Sequence, residues 1–143
     1  DDLRDAVWIV DGAHDTLADL VGRIEQFARA LLAGHDHALA LPDAVPDCTL
    51  DMSTRRHLYL LVKEALHNAV RHAEAARIHV RVATPPGRLV VTVADDGTGF
   101  DAAGPSAGRG LKTMRRRAEA VGATLTVTST PGHGTAVHLD APV

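Results

Sequence analysis

The chain has 143 residues and a net charge of −3, with 45% hydrophobic and 23% charged residues. This length and balance are typical of one globular domain and argue against extended disorder. The acidic charge and the 3% aromatic content argue against nucleic acid as a partner. The single cysteine, Cys48, excludes an intramolecular disulfide. No apolar run reaches the roughly 20 residues that span a bilayer.

The first half of the chain predicts two amphipathic helices around one short strand. Asp15 or Thr16 can cap the first helix, and Gly34 can end it. A short strand is predicted over 37–41, and a second helix over about 54–74 with Ser53 as its N-cap. The apolar positions of the first helix recur at three- and four-residue steps: Leu17, Leu20, Val21, Ile24, Phe27, Ala28, Leu31 and Leu32.

The second half predicts two strand pairs around a third helix. Alternating apolar residues predict strands over 77–83 and 88–94, with a turn between them. A helix is predicted over about 110–121, ending at Gly122, and two further strands over 124–129 and 135–140. This order predicts an α+β two-layer sandwich, in which a mixed sheet is covered on one face by about three helices.

One side of the second helix carries polar groups that suit a ligand site. At about 100° per residue, Asn68, Arg71 and His72 all lie within about 80° of Glu64 around the helix. A carboxylate, an amide and a basic pair therefore lie beside a stripe that must be buried. A solvated helix face is the alternative explanation, because such rows are common on surface helices.

A glycine-rich segment follows the predicted strand 88–94. Asp95 can accept a hydrogen bond from an exocyclic amine such as the one on adenine. Gly97 and Gly99 let the backbone approach a flat ligand. An ordinary glycine turn explains the same residues. The dinucleotide-binding G-x-G-x-x-G pattern and the phosphate-binding P-loop are both absent.

The start of the third helix and the last turn supply two further candidates. A glycine-rich helix N-terminus is suited to phosphate, although a simple loop-to-helix transition is the alternative. Its candidate residues are Gly108, Arg109, Gly110, Leu111 and Lys112. After the turn 130–134, Thr135 can place a hydroxyl beside Asp95, although a hairpin turn there needs no function.

Four of these segments, in this order, resemble known motifs. KEALHNAVRHA (63–73), DDGTGF (95–100), GRGL (108–111) and PGHGT (131–135) resemble the N box, two glycine boxes and closing motif of a bacterial ATP-binding domain. That domain is the catalytic domain of sensor histidine kinases, in the superfamily of Hsp90, MutL and type II topoisomerases. Residues 110–135 most resemble the subgroup of nitrate sensors and membrane-fluidity sensor kinases.

The resemblance implies ATP and Mg²⁺ as cofactors. It implies that Asn68 supplies the Mg²⁺ ligand and that Glu64 is the catalytic carboxylate, which orients or deprotonates the attacking group. Asp95 would bind the adenine amine, with Thr135 in support. The other implied ATP-binding residues are Arg71 and His72 near the phosphates, Gly97 and Gly99 at the base, and Gly108, Arg109, Gly110, Leu111 and Lys112 at the lid and phosphates.

The resemblance also implies partners and a domain division. Residues 1–14 are expected to be the end of a dimerisation helix and a linker, and 15–143 the catalytic domain. The phosphate-accepting histidine is expected outside this chain, because the 50 residues from His14 to Glu64 leave no room for a helical hairpin. Such a kinase passes its phosphoryl group to a response regulator and works in the cytoplasm, with or without a membrane anchor on the parent. Two alternatives are a stand-alone serine kinase that restrains a sigma factor, and a nucleotide-sensing module without transferase activity.

Overall fold

In the computed structural model, residues 15–72, 77–99 and 108–143 are described, without the side chains of His72 and Arg109. The expected linker 1–14, His14 and residues 100–107 of the glycine-rich flap lie outside the described part. The elements are α1 (Leu17–Leu32), β1 (His37–Ala40), α2 (Met52–His72), β2 (Ile78–Ala83), β3 (Arg88–Asp95), α3 (Gly108–Ala120), β4 (Thr124–Ser129) and β5 (Thr135–Pro142).

The helix ends follow from local hydrogen bonds. Thr16 caps α1, since its side chain accepts the Asp19 N–H at 3.1 Å, and Asp19 in turn accepts the Thr16 N–H. At the start of α2 the expected cap, Ser53, is wrong. Asp51 accepts the Thr54 N–H at 2.7 Å, which places Ser53 inside the helix. This backbone hydrogen bond is the main reason that the pKa of Asp51 is lowered.

The third helix begins two residues and ends one residue earlier than expected, and Gly122 follows its end as predicted. It includes Gly108, so both glycines of the predicted phosphate-binding segment, Gly108 and Gly110, lie in its first turn. Gly122 adopts a φ of 70° after the helix, and Ala123 donates its N–H to the Ala118 carbonyl at 2.9 Å. This left-handed glycine followed by a backward hydrogen bond is a Schellman-type helix end.

The five strands form one mixed sheet in the order β1-β2-β3-β5-β4. β1 pairs with β2 in parallel, and the other pairs are antiparallel. β3 occupies the centre, and its last residue, Asp95, lies opposite Ile78 on one side and Thr135 on the other. The sheet therefore brings the two predicted adenine-site residues, Asp95 and Thr135, to the same end.

The core lies between the three described helices and one face of the sheet. Residues on β2 alternate between buried and exposed, as the sequence pattern predicted. The sheet residues that are buried in this core are Ile78, Val80, Val82, Leu89, Val91, Val93, Val137, Leu139 and Ala141. The opposite face carries His79, Arg81, Thr92 and His138. The predicted two-layer α+β sandwich is confirmed. None of the helices in the described segments is long and apolar enough to cross a membrane.

Candidate functional site

The polar face of α2 lies at the edge of the core. Glu64 and Asn68 are half-buried, one turn apart, beside the buried Ala65 and Ala69. Arg71 is exposed, and its guanidinium donates to Asn68 Oδ1 over a long 3.4 Å. The carboxylate and the amide are therefore partly removed from water. The alternative explanation from the sequence, a solvated helix face, does not describe these two residues.

The first turn of α3 packs directly on these two side chains. An ideal Cβ built on Gly110 would overlap Glu64 Oε1 and lie 3.3 Å from Asn68 Nδ2. A side chain at position 110 would therefore displace the Glu64 carboxylate, because Oε1 is the free end of a flexible side chain. The next residue, Leu111, is buried and anchors the helix in the core, whereas Lys112 is exposed. The structure thus brings a carboxylate, an amide and a helix N-terminus together, and such a terminus favours anions.

The end of β3 forms a second group of predicted residues. Asp95 Oδ1 accepts the Gly97 N–H at 3.0 Å, which turns the chain immediately after the strand. Thr135 lies opposite Asp95 in the strand register, as expected, but its hydroxyl contacts the Ser129 hydroxyl at 2.8 Å. Ser129 also donates to the Gly134 carbonyl at 3.1 Å. The Ser129–Thr135 contact holds the start of β5 against β4.

The glycine loop after β3 is seated on the turn between β4 and β5. Gly132 donates its N–H to the Thr98 carbonyl at 2.6 Å. Gly99 has a φ of 65°, and a Cβ there would overlap the Thr130 carbonyl. Gly134 has a φ of 79°, and a Cβ there would overlap the Asp95 carbonyl. Both positions therefore require glycine for close backbone packing.

The two adjacent aspartates have different surroundings. Asp96 Oδ1 accepts the Arg77 N–H at 2.8 Å. The Arg77 guanidinium also donates to Asp36 at 2.7 Å. Asp96 therefore ties the end of β3 to the start of β2, while Asp95 lies beside Gly97 and Thr135. Asp95 is the aspartate that the sequence predicted to bind the adenine amine.

The predicted residues thus form two described groups. Glu64 and Asn68 meet Gly110 where α2 and α3 pack together, and Arg71 contacts Asn68. Asp95, Gly97, Gly99 and Thr135 lie at the end of the central strand, which α2 covers. The backbone of α2 extends to His72, and that of α3 begins at Gly108 and includes Arg109. The side chains of His72 and Arg109 are outside the described part.

One charged residue at the α2–α3 contact, Arg117, was not predicted from the sequence. Burial lowers the pKa of Arg117, as do the charges of Arg56 and Arg116, whereas the charge of Glu64 raises it. Arg117 follows Gly110 by seven residues, two helical turns, so it lies on the same side of α3. That spacing was visible in the sequence, but only the packing of α3 on α2 shows its relation to Glu64.

Comparison with known proteins identifies the class. The profile of the family described as histidine kinase-, DNA gyrase B-, and HSP90-like ATPase matches residues 53–143. The chain is a member of this family, which confirms the resemblance inferred from the motifs. Its relatives within the family are sensor histidine kinases.

Three curated relatives and one solved structure carry that narrower assignment. The nitrate/nitrite sensor protein NarQ of Escherichia coli is 35% identical over 85% of this chain, and UhpB of Salmonella typhimurium 35% over 68%. The sensor protein VraS of Staphylococcus aureus is 30% identical over 69% of this chain. The alignments cover only 22%, 19% and 29% of these relatives, respectively. The histidine kinase domain of an Erythrobacter litoralis blue-light activated kinase superposes with a TM-score of 0.68 at 30% identity, covering 86% of this chain and 60% of that one.

Proposed function

We propose that this chain binds Mg·ATP and presents the γ-phosphoryl group to a histidine on a separate dimerisation domain. The observation that carries the proposal is the contact of Gly110 with Glu64 and Asn68. This contact brings together the Glu64 carboxylate, the Asn68 amide and a helix N-terminus. A carboxylate, a metal ligand and a phosphate-binding terminus are the groups that phosphoryl transfer from a metal nucleotide requires. Membership in an ATPase family and likeness to sensor histidine kinases support the same function.

Asn68 fits the role of metal ligand. Its Oδ1 is a hard oxygen on a half-buried side chain beside a carboxylate, and Mg²⁺ takes few protein oxygens together with phosphate and water. The long 3.4 Å contact from Arg71 leaves Oδ1 with accepting capacity. When bound, Mg²⁺ would neutralise charge on the phosphate oxygens.

Glu64 and α3 would then divide the remaining work. The first turn of α3 would hold phosphate oxygens with its N–H groups and its positive dipole end. Glu64 would orient the incoming imidazole or accept its proton. The imidazole nitrogen forms a bond to the γ-phosphorus while the bond from phosphorus to the bridging oxygen breaks, and ADP leaves. Such transfer depends mainly on positioning.

Asp95 would recognise the base. One of its oxygens accepts the Gly97 N–H, and the carboxylate retains lone pairs for an exocyclic amine. Asp95→Asn would present an amide NH₂ or a weaker acceptor to that amine. We expect a loss of ATP affinity of at least about tenfold by calorimetry. Asp96→Asn is the matched control, and unchanged ATP affinity in Asp95→Asn would contradict the assignment.

The magnesium site is tested by Asn68→Asp in the full-length parent kinase. The added charge would repel the phosphates and alter the ligand, so autophosphorylation should fall at least about a hundredfold. The variant should keep its thermal unfolding midpoint, because Asn68 lies at the edge of the core. Autophosphorylation at the normal rate would refute the role of Asn68.

The partners follow from the same proposal. The acceptor would lie on the dimerisation domain of the longer parent, and a response regulator would take the phosphoryl group from it. We also propose that the reaction takes place in the cytoplasm, where ATP is supplied. A phosphotransfer assay with labelled ATP and a separate dimerisation domain checks it. A labelled serine on an added protein would favour the sigma-factor kinase instead, and binding of ATP without any transfer would favour a sensing module.

A further inference from the structure

The end of the α2–α3 pair away from Asn68 carries a group of cations. Glu64 meets Gly110 at one end, and Arg117 meets His57 at the other, so the two helices run in opposite directions. Arg117 Nη1 donates to His57 Nδ1 over 3.3 Å across the helix contact. The adjacent residues on the two helices are Arg56 and Arg116. We call these four residues the arginine cluster.

The cluster has no carboxylate within it. Among residues 15–72, 77–99 and 108–143, no ion pair joins Arg56, Arg116 or Arg117 to an acidic side chain. Glu64 is the acidic group that acts on Arg117, and it lies seven residues from His57, about 10 Å along α2. Arg56 and Arg116 are exposed, while Arg117 and His57 are half-buried. Within the described segments, positive charge is therefore concentrated over one helix contact with no carboxylate paired to it.

The mutual effect of these charges is visible in their protonation. Burial and the charges of Arg117, Arg56 and Arg116 lower the pKa of His57. The groups that face His57 are thus cationic on both helices. A neutral imidazole with Nδ1 as the acceptor is the form that fits the hydrogen bond from Arg117. Such an arrangement is strained electrostatically until an anion joins it.

We propose that the arginine cluster is an anion site that takes a phosphate group, separate from the nucleotide site. Guanidinium groups match the oxygens of phosphate in a bidentate manner. A phosphate dianion balances more of the cluster than a single carboxylate does. Its source is a soluble phosphate compound or the headgroup of an anionic lipid.

Binding of the dianion is coupled to His57. The added negative charge raises the pKa of the imidazole, so His57 takes up a proton as the site fills. Protonated Nδ1 becomes a donor, which ends its hydrogen bond with Arg117 and frees that guanidinium N–H for the anion. For an anion of fixed charge, affinity should therefore fall as pH rises from the pKa of His57 in the free chain to its pKa in the complex.

The test follows the His57 ring signals of the chain by NMR during titration with inorganic pyrophosphate. We expect a raised His57 pKa in the presence of pyrophosphate. Arg56→Gln combined with Arg116→Gln should weaken binding at this site at least about tenfold. Arg81→Gln is the matched control, because Arg81 is also exposed and lacks an ion pair among the described residues. It should leave binding unchanged.

A second arm distinguishes the source of the phosphate. If a lipid headgroup is the ligand, the chain should bind to vesicles that contain phosphatidic acid. The double variant should not bind to these vesicles. Binding to pyrophosphate alone assigns a soluble compound. The proposal is overturned if neither probe changes the His57 signals, if the double variant binds both probes as the parent does, or if only an acidic peptide binds. Because pyrophosphate can also occupy the first turn of α3, binding at the arginine cluster is read from the His57 signals, and each outcome is then independent of whether ATP binds near Asn68.

Discussion

The two ends of the α2–α3 contact use opposite kinds of residue. At one end Gly110 has no side chain, so the α3 backbone reaches Glu64 and Asn68. At the other end Arg117 extends a long cation across the helix contact to His57. The same pair of helices therefore offers backbone amides to a ligand at one end and guanidinium groups at the other. Residue size at two positions seven residues apart determines which chemistry each end can perform.

The contact at Gly110 is tested most severely by a substitution that adds a side chain there. Gly110→Ala places a Cβ against the Glu64 carboxylate, so the end of the Glu64 side chain must shift from its position beside α3. Because small displacements of positioning groups cost about a hundredfold, we expect at least that loss in autophosphorylation of the parent kinase.

The control for Gly110→Ala is Gly22→Ala in α1. A Cβ on Gly22 meets nothing within 4 Å. Alanine is the better helix former, so this variant should be more stable by roughly 0.5–1 kcal/mol in urea unfolding, with normal transfer. Normal transfer by Gly110→Ala as well would show that the close approach has no catalytic meaning.

A second comparison separates close approach from backbone freedom within one turn. Gly132 and Gly134 both have positive φ, but only at Gly134 would a Cβ meet other atoms, those of Asp95 and Asp96. Gly132→Ala should cost about 1–2 kcal/mol of unfolding free energy from the left-handed conformation alone. Gly134→Ala should cost about 3 kcal/mol or more, because overlap is added. Equal costs in urea unfolding would show that the packing of this turn on β3 is not tight.

The last prediction concerns the pH dependence of the unfolding free energy, to which His57 at the cationic end contributes. The folded state lowers the pKa of His57 below its ordinary 6.5, so the unfolded chain binds the proton more tightly. This contribution to stability is present above pH 6.5 and is lost as pH falls from 6.5 through the folded-state pKa. His57→Gln should flatten the dependence of unfolding free energy on pH in that window.

The sequence predicted the helices and strands because they depend on local patterns, and it brought forward the candidate site residues through their motifs. Alternation on β2 and the glycine motifs are visible without any structure. The N-cap of α2 was missed because both Asp51 and Ser53 can cap, and only the backbone path decides between them. The arginine cluster was missed because Arg56 and Arg117 come together only when α2 and α3 pack. The pairing of Thr135 with Ser129 depends on the register of β4 against β5 in the same way.

The central claim is that Mg·ATP binds to the residues of the α2–α3 contact and to those at the end of β3. Titration of the isotopically labelled chain with ATP and magnesium tests it through backbone amide signals. We expect large chemical-shift changes at Asn68, Gly97 and Gly110, and little change at Thr126 on strand β4. Unchanged signals at Asn68, Gly97 and Gly110 at saturating nucleotide would contradict it.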